Sequence, residues 1–488
     1  MPQSPCPRHA STPRLATTLL AAALLTVPAL AQVDTGDADF TRFVALGDSL
    51  SAAFASGSLV ITHQDNSIPL LIARQAGVGE IEQPLVSEPG LPPELTLVSL
   101  SPLTIAPKAS QPGAPLNLGL PRPYDNLSIP GADACELLQR TSDAGGMFDL
   151  VLRRLGFTAV EQALALSPTF VYLWAGSNDV LGAAVSGRVI DGVTLTQAAP
   201  FEACLRTMVG ALAAGGAGGV LGNIADVPAI PFVTTIPPVV VNPATGQPVL
   251  INGQPVFLIG PAGPLTPADF VLLPASALLA QGIGIPMALG GTGQPLPDAA
   301  VLDASEVSAI RARTAELNAI IAAVAGDIGW ALADIEAFFE DVKDDGYRVG
   351  GVDFTTDFLV GGVFSFDGVH PTDLGYAVAA NVFLAAINEH YDARIPPVDL
   401  SPFFFGTGIG AGAVSREQAA AALFTPRAER HLRRTLGIPS DRQLDRIAGS
   451  IGGGGGGDGA ERPDGLPDPG RAEDDAAASP LQRPIREQ

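Results

Sequence analysis

Nucleophilic chemistry in this chain would start from a serine at the end of a strand and a histidine three residues after an aspartate. Ser49 closes the run Phe43-Val44-Ala45-Leu46-Gly47-Asp48-Ser49, an apolar segment of strand length that stops at a small, turn-forming Gly-Asp-Ser. In an open α/β sheet ligands gather at the carboxyl ends of the strands, so a serine placed here faces a crevice. A serine hydroxyl is a poor nucleophile at neutral pH and needs a base, a group that orients the base, and donors for the oxyanion it creates. The base candidate is His370 in Phe366-Asp367-Gly368-Val369-His370-Pro371-Thr372, on what Gly368 and Pro371 make a loop. Asp367 would accept a hydrogen bond from the imidazole Nδ1, leaving Nε2 free to take the Ser49 proton.

Two further segments offer oxyanion donors, Asn126-Leu127-Ser128-Ile129-Pro130-Gly131 and Gly176-Ser177-Asn178-Asp179. Gly131 lacks a side chain and permits close backbone approach, and the Asn178 carboxamide donates without adding charge. Each block alone has an ordinary structural meaning: a turn, a capped loop, a helix cap, a turn glycine. Their joint presence is what points to catalysis.

These blocks must be held by elements far apart in the chain. From about residue 39 to 388, apolar runs of strand length alternate with helical stretches, which predicts a single large α/β domain with a mostly parallel sheet and helices on both faces. Phe170–Trp174, Gly219–Asn223 and Trp330–Asp334 read as strands, and Val160–Leu166 and Glu306–Ala325 as helices. Between Arg206 and Arg311 there is no Lys, Arg or His. Within that stretch, an insertion spanning about residues 226–300, Pro237–Ile259 reads as an apolar β meander with turns at 243–246 and Asn252-Gly253. It is either a flap shaping a pocket for an apolar substrate or a hairpin that only covers the core. Residues 401–488 read as a helical segment near 416–436 followed by six glycines, Gly452 to Gly457, and a Pro, Asp, Arg and Ala tail that is expected to be disordered. Gly408-Ile409-Gly410-Ala411-Gly412-Ala413 matches a dinucleotide fingerprint in letters, but no strand follows to complete a βαβ unit, so it reads as a hinge or linker.

Taken in order, Gly47-Asp48-Ser49-Leu50, Asn126 through Gly131, Gly176-Ser177-Asn178-Asp179 and Asp367-Gly-Val-His370-Pro, the chain resembles the GDSL, or SGNH, family of hydrolases. The resemblance implies a three-layer α/β/α sandwich with a parallel sheet, and carboxylic ester hydrolysis without metal or cofactor. It implies Ser49 as nucleophile, His370 as general base and Asp367 as its orienting partner. The Ser49 amide, Gly131 and Asn178 would hold the oxyanion, with Gly47, Asp48, Asn126, Gly176 and Asp179 in support. Ser177 stands where such chains often carry a second glycine, and the long insertion makes this a large member.

Composition narrows the partners. A net charge of −23, with lysine only at 108 and 343, disfavours nucleic acid and anionic membrane surfaces. Residues 1–31 read as an export signal: Arg8 and Arg14 precede an apolar run from Leu15 to Leu30, and Ala29-Leu30-Ala31 is a small-residue cleavage site. The run is short and contains Pro28, which favours removal over anchoring and a secreted or periplasmic protein beginning near Gln32. Cys6 would leave with the signal. Cys135 and Cys204 would meet an oxidising compartment where a disulfide can form, their separation in space deciding whether it does. Neither has a histidine or cysteine at metal-ligand spacing. The expected substrate is a small-molecule or lipid ester of short to medium acyl length; an acetylated sugar and an inactive exported binding protein are the alternatives. Only two tryptophans, Trp174 and Trp330, are available for sugar stacking. Nothing in the sequence addresses the oligomeric state.

Overall fold

The computed structural model describes residues 33–142, 146–153, 155–242, 245–404 and 415–452. Residues 1–31, read above as an export signal, the glycine-rich link at 408–413 and the tail beyond 452 lie outside them. In chain order the elements that matter for the site are β1 (Phe43–Gly47), α1 (Ile68–Gln75), β2 (Leu95–Leu100), β3 (Leu103–Pro107), α2 (Ala134–Gln139), β4 (Phe170–Trp174), α3 (Asn178–Ser186) and α4 (Ala198–Ala213). They continue with β5 (Gly218–Gly222), α5 (Ala304–Ile328), β6 (Ala331–Ala333), α6 (Asp373–His390), β7 (Leu423–Phe424), α7 (Pro426–Thr435) and α8 (Asp441–Gly452).

The central sheet runs β1-β4-β5-β6, every neighbouring pair parallel, with Phe43 opposite Phe170 and Ala331 opposite Val220. β1 and β4 are buried at every residue, which is why they read as unbroken apolar runs. The period of two still sorts their side chains. Val44, Leu46, Val171, Leu173 and Leu221 pack with α4 and α5, whereas Phe43, Ala45, Phe170, Tyr172 and Val220 pack with α1 and α6. The result is a three-layer α/β/α sandwich. Helix starts follow from local chemistry: Asp133 and Glu136 form a capping box on α2, Asp303 and Glu306 do the same on α5, and Gly329 ends α5 at φ +76°. Cys135 on α2 and Cys204 on α4 are joined by a disulfide.

Two regions differ in detail from the sequence reading. The meander forms two-residue hairpins, with Asn252 and Gly253 both at positive φ in its second turn. The first turn falls partly outside the described residues. The insertion carries its own cluster around Val240, Leu258, Leu265 and Val271. The helical segment after 415 is broken by β7, which adds in parallel to β3. Phe424, Ala428, Leu432 and Leu436 all join the principal core, because α7 has one apolar face that nothing else in the segment could bury. Among the described residues, no helix is long and apolar enough to cross a membrane.

His63 ties α6 to the loop before β2. Its Nδ1 lies 2.7 Å from Asp373 and its Nε2 3.0 Å from Glu94, which also holds Lys108 Nζ at 2.5 Å. Burial alone would lower the imidazole pKa, but the hydrogen bonds to Asp373 and Glu94 outweigh it and push the value to about 10. A folded pKa raised above the ordinary 6.5 stabilises the fold fully below pH 6.5, and that stabilisation is lost as pH rises through about 10. The variant His63→Gln should therefore show its largest deficit in unfolding temperature near pH 6, shrinking steadily towards pH 10 in a series of melts. A deficit independent of pH would contradict the ion-pair account.

Candidate active site

β1 delivers Ser49 just past its carboxyl end. A Cβ at Gly47 would lie 2.5 Å from Trp174 O and collide with the Ser51 side chain, so glycine is what lets the turn pass this close to β4. Ser49 Oγ is 2.9 Å from His370 Nε2, and His370 Nδ1 is 2.8 Å from Asp367 Oδ2. The consistent proton placement has Nδ1–H donating to the carboxylate and the serine hydroxyl donating to Nε2.

Asp367 is held from several sides. Its Oδ1 accepts from the amides of Val369 and His370, each at 2.8 Å, and Oδ2 from the Gly57 amide at 2.7 Å. The Ser365 hydroxyl adds a longer bond of 3.3 Å. Burial disfavours its charge, yet the His370 charge and these hydrogen bonds outweigh it, keeping the carboxyl below the ordinary aspartate value and ionised. The edge of Phe54 fixes the imidazole from the side, ring centroids 4.8 Å apart. Ser49, Asp367 and His370 are 2 %, 0 % and 1 % exposed, so their electrostatics act in a water-poor environment.

Three donor groups are candidates here: Ser49 and Asn178 line one cavity, and the loop carrying Gly131 is tied to β1 where Ile129 N–H donates to Gly47 O. Among the described residues, the N–H groups of Ser49 and Gly131 donate to no protein acceptor. An unpaired amide on a residue as buried as Ser49 is uncommon and marks a place prepared for an acceptor. The third is the Asn178 carboxamide, which opens α3 and spends one N–H on Ala132 O at 2.9 Å, leaving the other. Gly131 is at φ +84° and Gly176 at φ +122°, conformations that favour glycine. Asn126 braces the loops, donating to Ser51 O at 3.1 Å and accepting from the Ser128 amide. Asp48 accepts from the Leu50 amide and Asp179 from the Ala134 amide, each through one oxygen. Burial pushes Asp48 up to about 7, the Leu50 amide and His370 offsetting it only in part, and pushes Asp179 up to about 8 with the charge of Asp133 adding to the rise.

Two openings meet at Asn178. An apolar cavity of ≈ 120 Å³ is walled by Leu181, Ile230, Phe338, Phe339 and Phe364 beside Ser49 and His370. A polar crevice of ≈ 300 Å³ runs past Gly131, with Arg140, Thr194, Arg434 and Leu436 along its sides. The Pro237–Ile259 meander lines neither; it packs over a cluster of its own, and Pro237, Val241 and Pro248 border a separate cavity of ≈ 380 Å³. No group of three or more metal-ligating side chains exists among the described residues.

The sequence reading missed Gly57, Ser365, Phe54 and Leu436. Ser365 sits two residues before Asp367 and was open to notice. Gly57 and Leu436 carry no motif, and only tertiary packing brings them near.

The family model described as GDSL-like Lipase/Acylhydrolase matches residues 43–383. Among solved structures, the chain is similar to a catalytic mutant of Axe2, an acetylxylan esterase from Geobacillus stearothermophilus, at 13% identity over 71% of this chain and 93% of that one, with a TM-score of 0.33. It is also similar to LAE5, an alpha/beta hydrolase enzyme from the metagenome of Lake Arreo, Spain, at 14% identity over 72% and 96%, with a TM-score of 0.32. No curated protein matches the chain significantly.

Asp179 yields a test of the electrostatics. Its folded pKa of about 8 stands above the ordinary 3.8, so ionising it costs the folded state stability progressively between those values and by a constant amount above them. Asp179→Asn, being neutral throughout, should gain in unfolding temperature relative to the parent as pH rises from 4 to 8, then hold level. Melts at pH 5, 7 and 9 measure this, and an unchanging difference would show that Asp179 is already charged in the fold.

Proposed function

Because the chain belongs to the GDSL-like lipase and acylhydrolase family and is on that ground a carboxylic ester hydrolase, we propose that Ser49, His370 and Asp367 carry its chemistry. The single observation that supports this most is the unbroken line from Asp367 Oδ2 through the imidazole to Ser49 Oγ, at 2.8 and 2.9 Å, ending beside a buried and unpaired Ser49 amide.

Ser49 Oγ attacks the ester carbonyl while His370 Nε2 takes its proton. The carbonyl oxygen becomes an oxyanion that accepts from the amides of Ser49 and Gly131 and from the Asn178 carboxamide. His370 returns the proton to the departing alcohol, leaving an acyl-enzyme at Ser49. Water, deprotonated by the same imidazole, repeats the attack and releases the acid. Ionised Asp367 stabilises the imidazolium formed in both halves and prevents the ring from turning.

The acyl chain is assigned to the apolar cavity. An apolar cavity of about 150 Å³ admits benzene, so the ≈ 120 Å³ here suits a chain of about four to six carbons. That favours short to medium acyl esters over acetylated sugars, although the polar crevice beside Gly131 leaves room for a hydroxyl-bearing alcohol. Export before folding is part of the same proposal, supported by the residue pattern of 1–31 and by the Cys135–Cys204 bond.

Ser49→Ala should remove p-nitrophenyl butyrate hydrolysis and labelling by a fluorophosphonate, with the circular-dichroism spectrum unchanged; retained turnover would refute the nucleophile. Asp367→Asn should lower kcat by about 10⁴-fold, since it fixes the wrong imidazole tautomer. Asn178→Ala should lower kcat by about 10²-fold with a smaller change in KM. Across p-nitrophenyl esters, kcat/KM should peak at four to six acyl carbons, and a preference for acetate alone would return the substrate to the acetylated-sugar class. Mass analysis of the exported protein should find a chain starting at Gln32.

A further inference from the structure

The segment after residue 415 reaches the site at two places: the His431 ring lies beside Gly57, where a Cβ would be 3.7 Å from it, and the end of α7 lies against Gly131. A Cβ on Gly131 would lie 2.7 Å from Thr435 O and 3.1 Å from Leu436 Cα. The backbone at the end of α7 therefore rests directly against the α-carbon of the loop. The rest of the loop is tied elsewhere: Leu127 and Ile129 donate to Ala45 O and Gly47 O on β1, and Ala132 O accepts from Asn178. Between these ties Gly131 has no hydrogen bond from its amide among the described residues. Gly131 sits in the turn that Ala132 N–H closes by donating to Ile129 O at 3.1 Å, and the end of α7 packs against that turn.

The surface it leans on is stiff. Leu436 N–H donates to Leu432 O, Gly437 closes the helix at φ +69°, and Ile438 N–H donates to Arg433 O. Leu432 and Leu436 are 0 % and 4 % exposed and belong to the principal core. Arg433 pins the following chain by bonding Pro439 O at 2.8 Å and pairing with Asp441 at 2.7 Å.

We propose that the turn Leu432–Gly437, anchored by Leu436, is a positioning element that holds the Gly131 amide in line with the Ser49 oxyanion. This rests on the functional reading above. Leu436 touches no reacting atom; it acts through Gly131. An oxyanion donor displaced by about 1 Å loses most of its value in the transition state while leaving substrate binding largely intact. The end of α7 is thus a support for the loop that carries Gly131, while α8 behind it only stabilises the segment.

Leu436→Ala is the test, with Leu444→Ala as its control. Leu444 is equally buried on α8 but does not line the crevice, so it reports on the stability of the segment alone. Both variants should melt lower. On p-nitrophenyl butyrate, well below either melting temperature, Leu436→Ala should lower kcat by about tenfold or more with KM within about twofold. It should also weaken binding of an alkyl trifluoromethyl ketone, whose hemiketal oxyanion needs the same donors, by a similar factor. Binding of butyrate should not change, and Leu436→Met, which conserves volume, should restore kcat. If Leu436→Ala does not fold, Leu436→Val against Leu444→Val is read in the same way. Equal kcat in the Leu436 and Leu444 variants, or a parallel loss in both, overturns the proposal. Retained turnover in Ser49→Ala would instead overturn the functional reading beneath it.

Discussion

Everything at this site depends on one buried carboxylate remaining charged. Asp367 is wholly removed from water, where an unpaired carboxylate would take up a proton. It stays ionised because two amides of its own loop, the Gly57 amide and the imidazole converge on its two oxygens. Those same bonds fix the loop, and the loop fixes the ring. A weaker cradle would release the charge and the geometry together, since a protonated Asp367 could no longer orient Nδ1–H. The carboxylate–imidazole hydrogen bond therefore organises as much as it stabilises.

The four blocks were legible in the sequence because each combines an unusual backbone need with a chemical group. Gly47, Gly131 and Gly176 stand where a Cβ would collide or where φ is positive, and Ser49, Asn178 and His370 follow at short, fixed distances. The strands were legible too, since burial on both faces leaves an apolar run with no polar interruption. Their ends were less so: the third strand begins one residue earlier than its apolar run, and the fourth is only Ala331–Ala333, where pairing with β5 stops. Propensity does not see where a partner strand ends.

What the sequence concealed is long-range contact. Gly57 reaches Asp367 across 310 residues, and nothing in Ser56-Gly57-Ser58 announces an anion-binding amide. The stretch after 415 has composition typical of a helical appendage, yet Phe424 extends a sheet and the Leu436 backbone packs against Gly131. The insertion left two readings open, a wall for an apolar substrate or a cover; its meander builds a cluster of its own, while Val227 and Ile230 at its start line the apolar cavity. Apolar composition states how much must be buried and not against what.

The exclusion of water that sharpens the Asp367–His370 pair also acts on its neighbours. Asp48 precedes Ser49 and Asp179 follows Asn178, and burial pushes both towards the neutral form. Neutral carboxyls beside a developing oxyanion cost nothing in repulsion, whereas two carboxylates there would oppose the charge that Ser49, Gly131 and Asn178 are proposed to accept. The low dielectric thus sorts three aspartates by their partners: the one supplied with donors on both oxygens keeps its charge, and the two given a single amide are pressed to give theirs up. Charge in this crevice is assigned by hydrogen-bond supply, which the loops flanking β1, β4 and α6 control residue by residue.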